Sequence, residues 1–154
     1  MAEADKTLDE MPTTHFLEYY KNHCEFLGYS VEVVDEFCIA CRHPRRDSLR
    51  LFSLNNYAGI MAQIVYVFPE KFQNDLLTLY MYANELNSYF LFMKAYISTS
   101  ENNLPIIILN SVLDGGYSRQ SFAIFMDNID YEMTNFKSYP KTRDMWRNQD
   151  EVPF

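Results

Sequence analysis

Two cysteines and a histidine stand close enough together to suggest a metal site. Cys38, Cys41 and His43 lie within the segment CIACRH, and thiolate and imidazole groups are the usual ligands of zinc. The segment alternates like a β-strand, however, and residues three apart on a strand point to opposite faces. A structural zinc site also needs about four ligands. The other candidates lie on a predicted helix and form no second pair: Cys24, His23 and His15. The sequence therefore predicts no metal, no cofactor, and small buried residues instead.

Four arginines within nine residues form the second candidate for chemistry. They stand in the segment RHPRRDSLR: Arg42, Arg45, Arg46 and Arg50. A hairpin turn with several guanidinium groups can bind an anion, a phosphate or an acidic partner segment. Such a turn more commonly is solvated and pairs with carboxylates of its own chain, such as Asp47 or those of the N-terminal arm. The four arginines are kept as a candidate anion-binding site.

No arrangement typical of an enzyme is present. Gly115 and Gly116 precede a helix predicted to start at Ser118, but no Lys follows them as in a Walker loop, and no Gly-x-Ser-x-Gly elbow surrounds the serine. Backbone N–H groups at that helix start could hold an anion, although a turn followed by a helix N-cap is the ordinary interpretation. Nothing places a histidine beside the carboxylate pairs. We predict no catalytic residue and no enzymatic activity.

Composition and charge exclude other classes. The chain has 154 residues and a net charge of −8, so it lacks the basic face that binding to a phosphate backbone requires. An acidic surface repels nucleic acid and anionic lipid, and is compatible with capturing basic or amphipathic polypeptides. The odd number of cysteines, 3, argues against a disulfide framework. The acidic N-terminus has no apolar stretch typical of a secretory signal, so we expect a cytoplasmic protein.

The order of periodic segments predicts an α+β fold. A helix is followed by four short alternating runs, a second helix, two more strands and a last helix, in the order α-β-β-β-β-α-β-β-α. Short polar separators favour antiparallel hairpins. We expect a largely antiparallel sheet with three amphipathic helices. Residues 1–12 are interpreted as a flexible acidic arm, 13–137 as one domain, and 138–154 as a C-terminal tail in which Trp146 is expected to dock.

Each predicted helix has an apolar stripe. The first begins at Thr13 or Thr14 and ends at Gly28, and the second takes Asn74 as its N-cap. The expected core positions are Phe16, Tyr20, His23 and Leu27 in the first helix, Leu76, Leu79, Tyr80, Ala83 and Leu86 in the second, and Phe122, Phe125, Ile129, Met133 and Phe136 in the last.

The segment MYANELNSYFLFMKAYIS, residues 81–98, changes its period from helical to alternating. We expect a strand from Tyr89 to Ile97, with Leu91, Met93, Ala95 and Ile97 toward the core. The opposite face would carry Phe90, Phe92, Lys94 and Tyr96. Because two phenylalanines are too apolar for water alone, a second helix layer, a subunit or a client peptide should cover them. These four residues are the candidate partner-binding site.

The same junction carries a resemblance to a known family. An amphipathic helix that ends in ANELN and passes into a strand, then a hairpin, then DGGYS and a last helix, resembles the YbjN family of proposed bacterial sensory-transduction regulators. The resemblance rests on Asn84, Leu86 and Asn87, on the strand that follows them, and on the start of the last helix after Gly116. The resemblance implies a fold like that of the type III secretion chaperones, which are small, acidic and often dimeric.

What the resemblance and the residues together imply is a non-enzymatic, chaperone-like or regulatory protein-interaction module. Its expected partner is a protein or peptide, a homodimer being one form, with no nucleic acid and no membrane. The alternative is a small-molecule or anion sensor that uses the arginine-rich turn or the glycine pair.

Overall fold

The helices and strands follow the predicted order, and a short helix is added at the C-terminal end. The computed structural model describes residues 16–54 and 58–147. The helices are α1 Glu18–Phe26, α2 Leu76–Tyr89, α3 Arg119–Ser138 and α4 Pro140–Met145, with a 3₁₀ turn at Glu70–Phe72. The strands are β1 Ser30–Asp35, β2 Cys38–Arg42, β3 Leu49–Ser53, β4 Gly59–Val67, β5 Lys94–Thr99 and β6 Pro105–Asp114. The predicted α+β class is confirmed, whereas the acidic arm and the caps at Thr13 or Thr14 lie outside the described residues.

The strands form one open, wholly antiparallel sheet in the order β1-β2-β3-β4-β6-β5. Two residues separate β1 from β2 and six separate β2 from β3, and connections this short join antiparallel neighbours. The hairpin of β5 and β6 returns after α2 and places β6 beside β4, along a ladder from Gly59↔Asp114 to Val67↔Ile106. Asn103 in the hairpin turn adopts a φ of 60°, a left-handed conformation that asparagine tolerates. β4 is an inner strand of the sheet and lies between β3 and β6.

All four helices contribute to one hydrophobic cluster on a single side of the sheet. The stripe predicted for the last helix is confirmed, since all five of its side chains are buried in α3. Ser118 caps this helix by accepting a hydrogen bond from the Ser121 N–H at 3.3 Å. None of the described helices is long and apolar enough to cross a bilayer.

The stripes of the first two helices are only partly as predicted. In α1, Tyr20 and His23 are buried, but Phe16 is exposed, stacks on Phe37 at 5.3 Å, and leaves its expected core place to Leu17. His23 is the hydrogen-bonded core histidine that its position indicates, with Nδ1 3.0 Å from the Tyr117 hydroxyl. The chain turns into the helix only at residue 18, so a residue before it does not follow helical spacing.

In α2 the buried face is rotated relative to the prediction. Leu76 and Tyr80 are exposed, and Tyr82 is fully buried in place of Tyr80. Tyr82 shares a helical face with Leu79, Ala83 and Leu86, a spacing that the predicted stripe did not use. Its hydroxyl is satisfied in the core by the buried Thr142 hydroxyl of α4. The N-cap is Asp75 rather than Asn74, and its carboxylate accepts from the Thr78 N–H at 3.5 Å.

Residues 138–147, assigned to a tail by their sequence, are packed on the domain as far as the structure describes them. The α4 helix begins with Pro140 at its first turn, where proline is well tolerated. Trp146 is buried as expected, and its indole N–H donates to the Val67 carbonyl at 3.0 Å. Its ring stacks on Phe68 with centroids 4.9 Å apart. Residues 148–154 lie outside the described part of the chain.

The helix-to-strand junction lies later than predicted. The α2 helix continues to Tyr89 and β5 starts at Lys94, so residues 90–93 form a connection rather than a strand. Asn87 is inside the helix, and its amide does not cap freed carbonyls there. Its side chain instead donates to the Ala95 carbonyl at 2.9 Å and accepts from the Ala95 N–H at 2.8 Å. Asn87 thus satisfies outward-facing backbone groups of the edge strand β5, which otherwise could pair with another chain.

Candidate functional site: the open face of the sheet

The sheet has one face that no helix among residues 16–54 and 58–147 covers, which we call the open face. Successive strand residues point to opposite sides, and those on the helix side, such as Ile39, Leu51 and Leu109, are fully buried. On the open face Val65 and Tyr96 remain 44% and 40% exposed. A half-solvated antiparallel sheet normally places polar residues outward. The apolar residues on this face are therefore an exception to the usual pattern of such a sheet.

The strand register arranges the open face into cross-strand rows. One row is apolar and joins Val65 of β4, Ile108 of β6 and Tyr96 of β5. Val67 and Ile106 extend it by a second apolar pair. The adjacent row, which we call the polar row, runs from β1 to β5 as Glu32, Ala40, Arg50, Gln63, Asn110 and Lys94. An apolar surface therefore lies directly beside a line of polar and charged side chains.

Asn110 lies at the centre of the polar row and is only 4% exposed. Its amide nitrogen donates to the Tyr96 hydroxyl at 3.3 Å. Its Oδ1 atom is buried and has no hydrogen-bond partner among the described residues. An unpaired buried acceptor costs free energy, so this oxygen lowers the stability of the polar row.

Three cations occupy the same face. Arg42 and Arg50 line a concavity of about 400 Å³ together with Gln63 and Val65, and Lys94 lies at the far end of the polar row. Within the described part of the chain none of these three side chains forms an ion pair. The open face is thus locally basic, although the chain carries a net charge of −8.

The structure divides the predicted partner-binding set between two sides of the sheet. Lys94 and Tyr96 lie on the open face, as the alternation predicts. Phe90 and Phe92 belong to the connection and face α3, where Phe90 lines a cavity of about 350 Å³ with Phe136. Leu91, predicted to be in the core, is 79% exposed. The prediction fails here because residues outside a strand do not alternate.

The four arginines of the predicted anion site diverge in the same way. Arg42 and Arg50 share the open face, whereas Arg45 is exposed at the turn. The Arg46 guanidinium reaches toward α3, 3.8 Å from Asp127 and 3.9 Å from Asp130. The arginine-rich turn itself is held by its own residues: the N–H groups of Arg45 and Arg46 donate to His43 Nδ1.

Gly115 and Gly116 form a poor anion-binding site. Gly115 has a φ of +86°, in the region that favours glycine, and its N–H donates to the Ala58 carbonyl at 3.0 Å and to Asp114 Oδ1 at 2.9 Å. That N–H is therefore already engaged. The carboxylate of Asp114 also places a negative charge beside the pair.

Glu132 is a positioning residue that sequence reasoning missed. It is 4% exposed on α3, and its carboxylate accepts hydrogen bonds from the N–H groups of Leu91 at 2.6 Å and Phe92 at 2.7 Å. Burial raises the pKa of this carboxyl, and the backbone N–H groups oppose that rise. The signal was available, because Glu132 falls beside Ile129 and Met133 on the most regular apolar stripe of the chain. It fixes the connection that leads into Lys94 and Tyr96.

The three cysteines considered for a metal site have places in the fold, and His15 lies outside the described residues. Cys24, Cys38 and Cys41 are free and buried. A hydrogen bond with Cys41, together with burial, raises the pKa of the Cys24 thiol, so this thiol does not readily ionise. Among the described residues no group of three or more potential ligands converges.

Comparison with known proteins supports the fold assignment. No protein-family model and no curated protein matches the sequence. The crystal structure of YbjN from E. coli, for which a role as a transcription regulator has been suggested, superposes with a TM-score of 0.60 at 16% identity, over 80% of this chain and 92% of that one. An uncharacterized protein from Methanothermobacter thermautotrophicus superposes with a TM-score of 0.57 at 13% identity, over 78% and 92% of the two chains. The chain has a YbjN-like fold.

Proposed function

We propose that this protein is a non-enzymatic interaction module that binds a polypeptide partner through the open face. The observation that carries the proposal is the row of Val65, Ile108 and Tyr96, apolar side chains that the described helices leave uncovered. At about 25 cal/mol per Å² of buried apolar area, covering such a row is a substantial gain in free energy. The likeness to YbjN supports a regulatory or interaction role of this kind. We propose that the protein carries out this role in the cytoplasm.

A polypeptide fits this surface better than a small ligand does. The open face is broad, with one shallow concavity beneath Arg42 and Arg50, while small-molecule sites are concave and enclose most of their ligand. The alternative of an anion sensor has weaker support, because Arg46 is engaged by Asp127 and Asp130 and the Gly115 N–H is occupied. A second copy of the chain and a chaperone client are both partners of the proposed class.

Site-specific photocrosslinking tests the proposal. A benzoylphenylalanine placed at Val65 should give a discrete polypeptide adduct in cells of the source organism, and the additional change Val112→Glu on the same face should abolish it. Benzoylphenylalanine at Leu77, an exposed position on α2, is the matched control. An adduct of twice the chain mass would identify a homodimer.

Two results would refute the proposal. The first is the absence of any adduct from Val65 when far-ultraviolet circular dichroism shows a folded protein. The second is an adduct from Leu91, beside α3, that persists while Val65 gives none, which would move the partner to the helix side of the sheet.

A further inference from the structure

We propose that the segment recognised by the open face is an acidic amphipathic helix, which rests its apolar stripe on Val65, Ile108 and Tyr96 and directs carboxylates to Arg50 and Lys94. This inference rests on the proposed function and specifies the chemistry of the partner. It differs from what the net charge of −8 suggests, which is a basic partner.

The first support is the local charge. Several cations elsewhere in the described chain are paired with carboxylates, such as Lys137 with Asp47 at 2.6 Å and Lys141 with Glu85 at 2.8 Å. The cations of the open face have no such pairing, and Glu32 is the one acidic residue in the polar row. A basic partner would bring like charges together on a surface that is being desolvated, whereas carboxylates complement it.

The second support is geometric. The open face consists of side chains, so a segment lying on it cannot add to the ladder and must satisfy its own backbone, which a helix does internally. Arg50 on β3 and Lys94 on β5 are three strand spacings apart, about 14 Å at 4.8 Å per strand. The apolar row lies two residues further along the strands, about 7 Å away, which is close to the half-width of a helix with its side chains. A helix on the apolar row can thus reach both cations from one flank.

A displayed library of helical 18-residue peptides provides the test. The library fixes an apolar stripe and varies the flanking positions among Glu, Gln and Lys, and binders are selected on the full-length protein. Binders that depend on the open face are those lost on the Val65→Glu variant. We expect Glu to exceed Lys in that group by about threefold to tenfold, the range that one or two exposed ion pairs provide.

Charge reversal sharpens the test. The double variant Arg50→Glu/Lys94→Glu should invert the preference toward Lys. The matched control Arg45→Glu/Arg143→Glu changes the net charge equally at exposed positions away from the open face and should leave it unchanged. The proposal of an acidic partner would be wrong if face-dependent binders showed no excess of Glu, or if the control variant inverted the preference in the same way. Either result would leave the proposal of polypeptide binding intact. The absence of any face-dependent binder would instead count against the proposed function.

Discussion

Replacing Glu132 by Gln should loosen the connection that leads into β5. The carboxylate accepts two backbone hydrogen bonds, from Leu91 at 2.6 Å and Phe92 at 2.7 Å. A glutamine has a single acceptor oxygen, so one bond is lost and its NH₂ group is set against a backbone N–H. A hydrogen bond to a charged acceptor contributes about 1.5–3 kcal/mol.

Part of that loss is offset because burial disfavours the charged carboxylate, which is why the pKa of Glu132 is raised. We therefore expect a net decrease of about 1–3 kcal/mol in the free energy of unfolding. Urea denaturation followed by the fluorescence of Trp146, the single tryptophan, measures it directly. Hydrogen exchange of the amides at 91 and 92 should accelerate more than that of the amides of β5.

The matched control is Glu25→Gln on α1, which removes a partly exposed helical ion pair with Lys21. Because this pair is exposed to solvent, its loss should cost much less than the loss of a buried hydrogen bond. If Glu132→Gln is no more destabilising than this control, the carboxylate does not hold the connection, and the account of the helix-to-strand junction is wrong.

Three further outcomes are expected. Asn87→Ala removes both hydrogen bonds to Ala95 and should lower the free energy of unfolding by about 1–3 kcal/mol, with faster hydrogen exchange at the Ala95 amide. The control is Asn84→Ala at an exposed position of the same helix. Equal effects of the two changes would contradict the role of Asn87 in binding the edge strand. Burial and the nearby Arg119 lower the pKa of His23, so its neutral imidazole contributes to the free energy of unfolding above pH 6.5, and this contribution is lost as the pH falls. Denaturation at about pH 7.5 and 5.5 should show a smaller acid-induced loss of stability in His23→Phe than in the unchanged protein. An equal loss would refute the assignment. Trp146→Ala should cost about 3–5 kcal/mol by calorimetry or denaturant titration, and a cost near zero would show that the residues after α3 are not part of the core.

The local pattern of the sequence determined most of the elements. The four early strands, the late hairpin and the buried stripe of α3 follow from periods of 2 and 3.6 that neighbouring residues alone carry. Gly28 ends α1 with a φ of +96°, as its place after the apolar stripe predicts. These features need no information from distant residues, because backbone geometry and side-chain alternation act over a few positions.

The partners that satisfy Tyr82 and the junction between α2 and β5 are distant in the sequence. The Tyr82 hydroxyl is satisfied in the core by Thr142, 60 residues later. Glu132 of α3 binds the backbone of the connection, and Asn87 of α2 binds Ala95 of β5. The type of a residue in the sequence, apolar or charged, does not indicate which distant residue it will contact.

The candidate site was likewise only half visible in the sequence. Alternation correctly placed Lys94 and Tyr96 opposite the core, but nothing local shows that β4 and β6 pair, which brings Arg50 into one row with Asn110 and Lys94. Strand order is set by how the whole sheet buries its helix-facing side, a condition on residues far apart in the chain. The sequence determined which side chains point outward, and the tertiary structure decided which of them became neighbours.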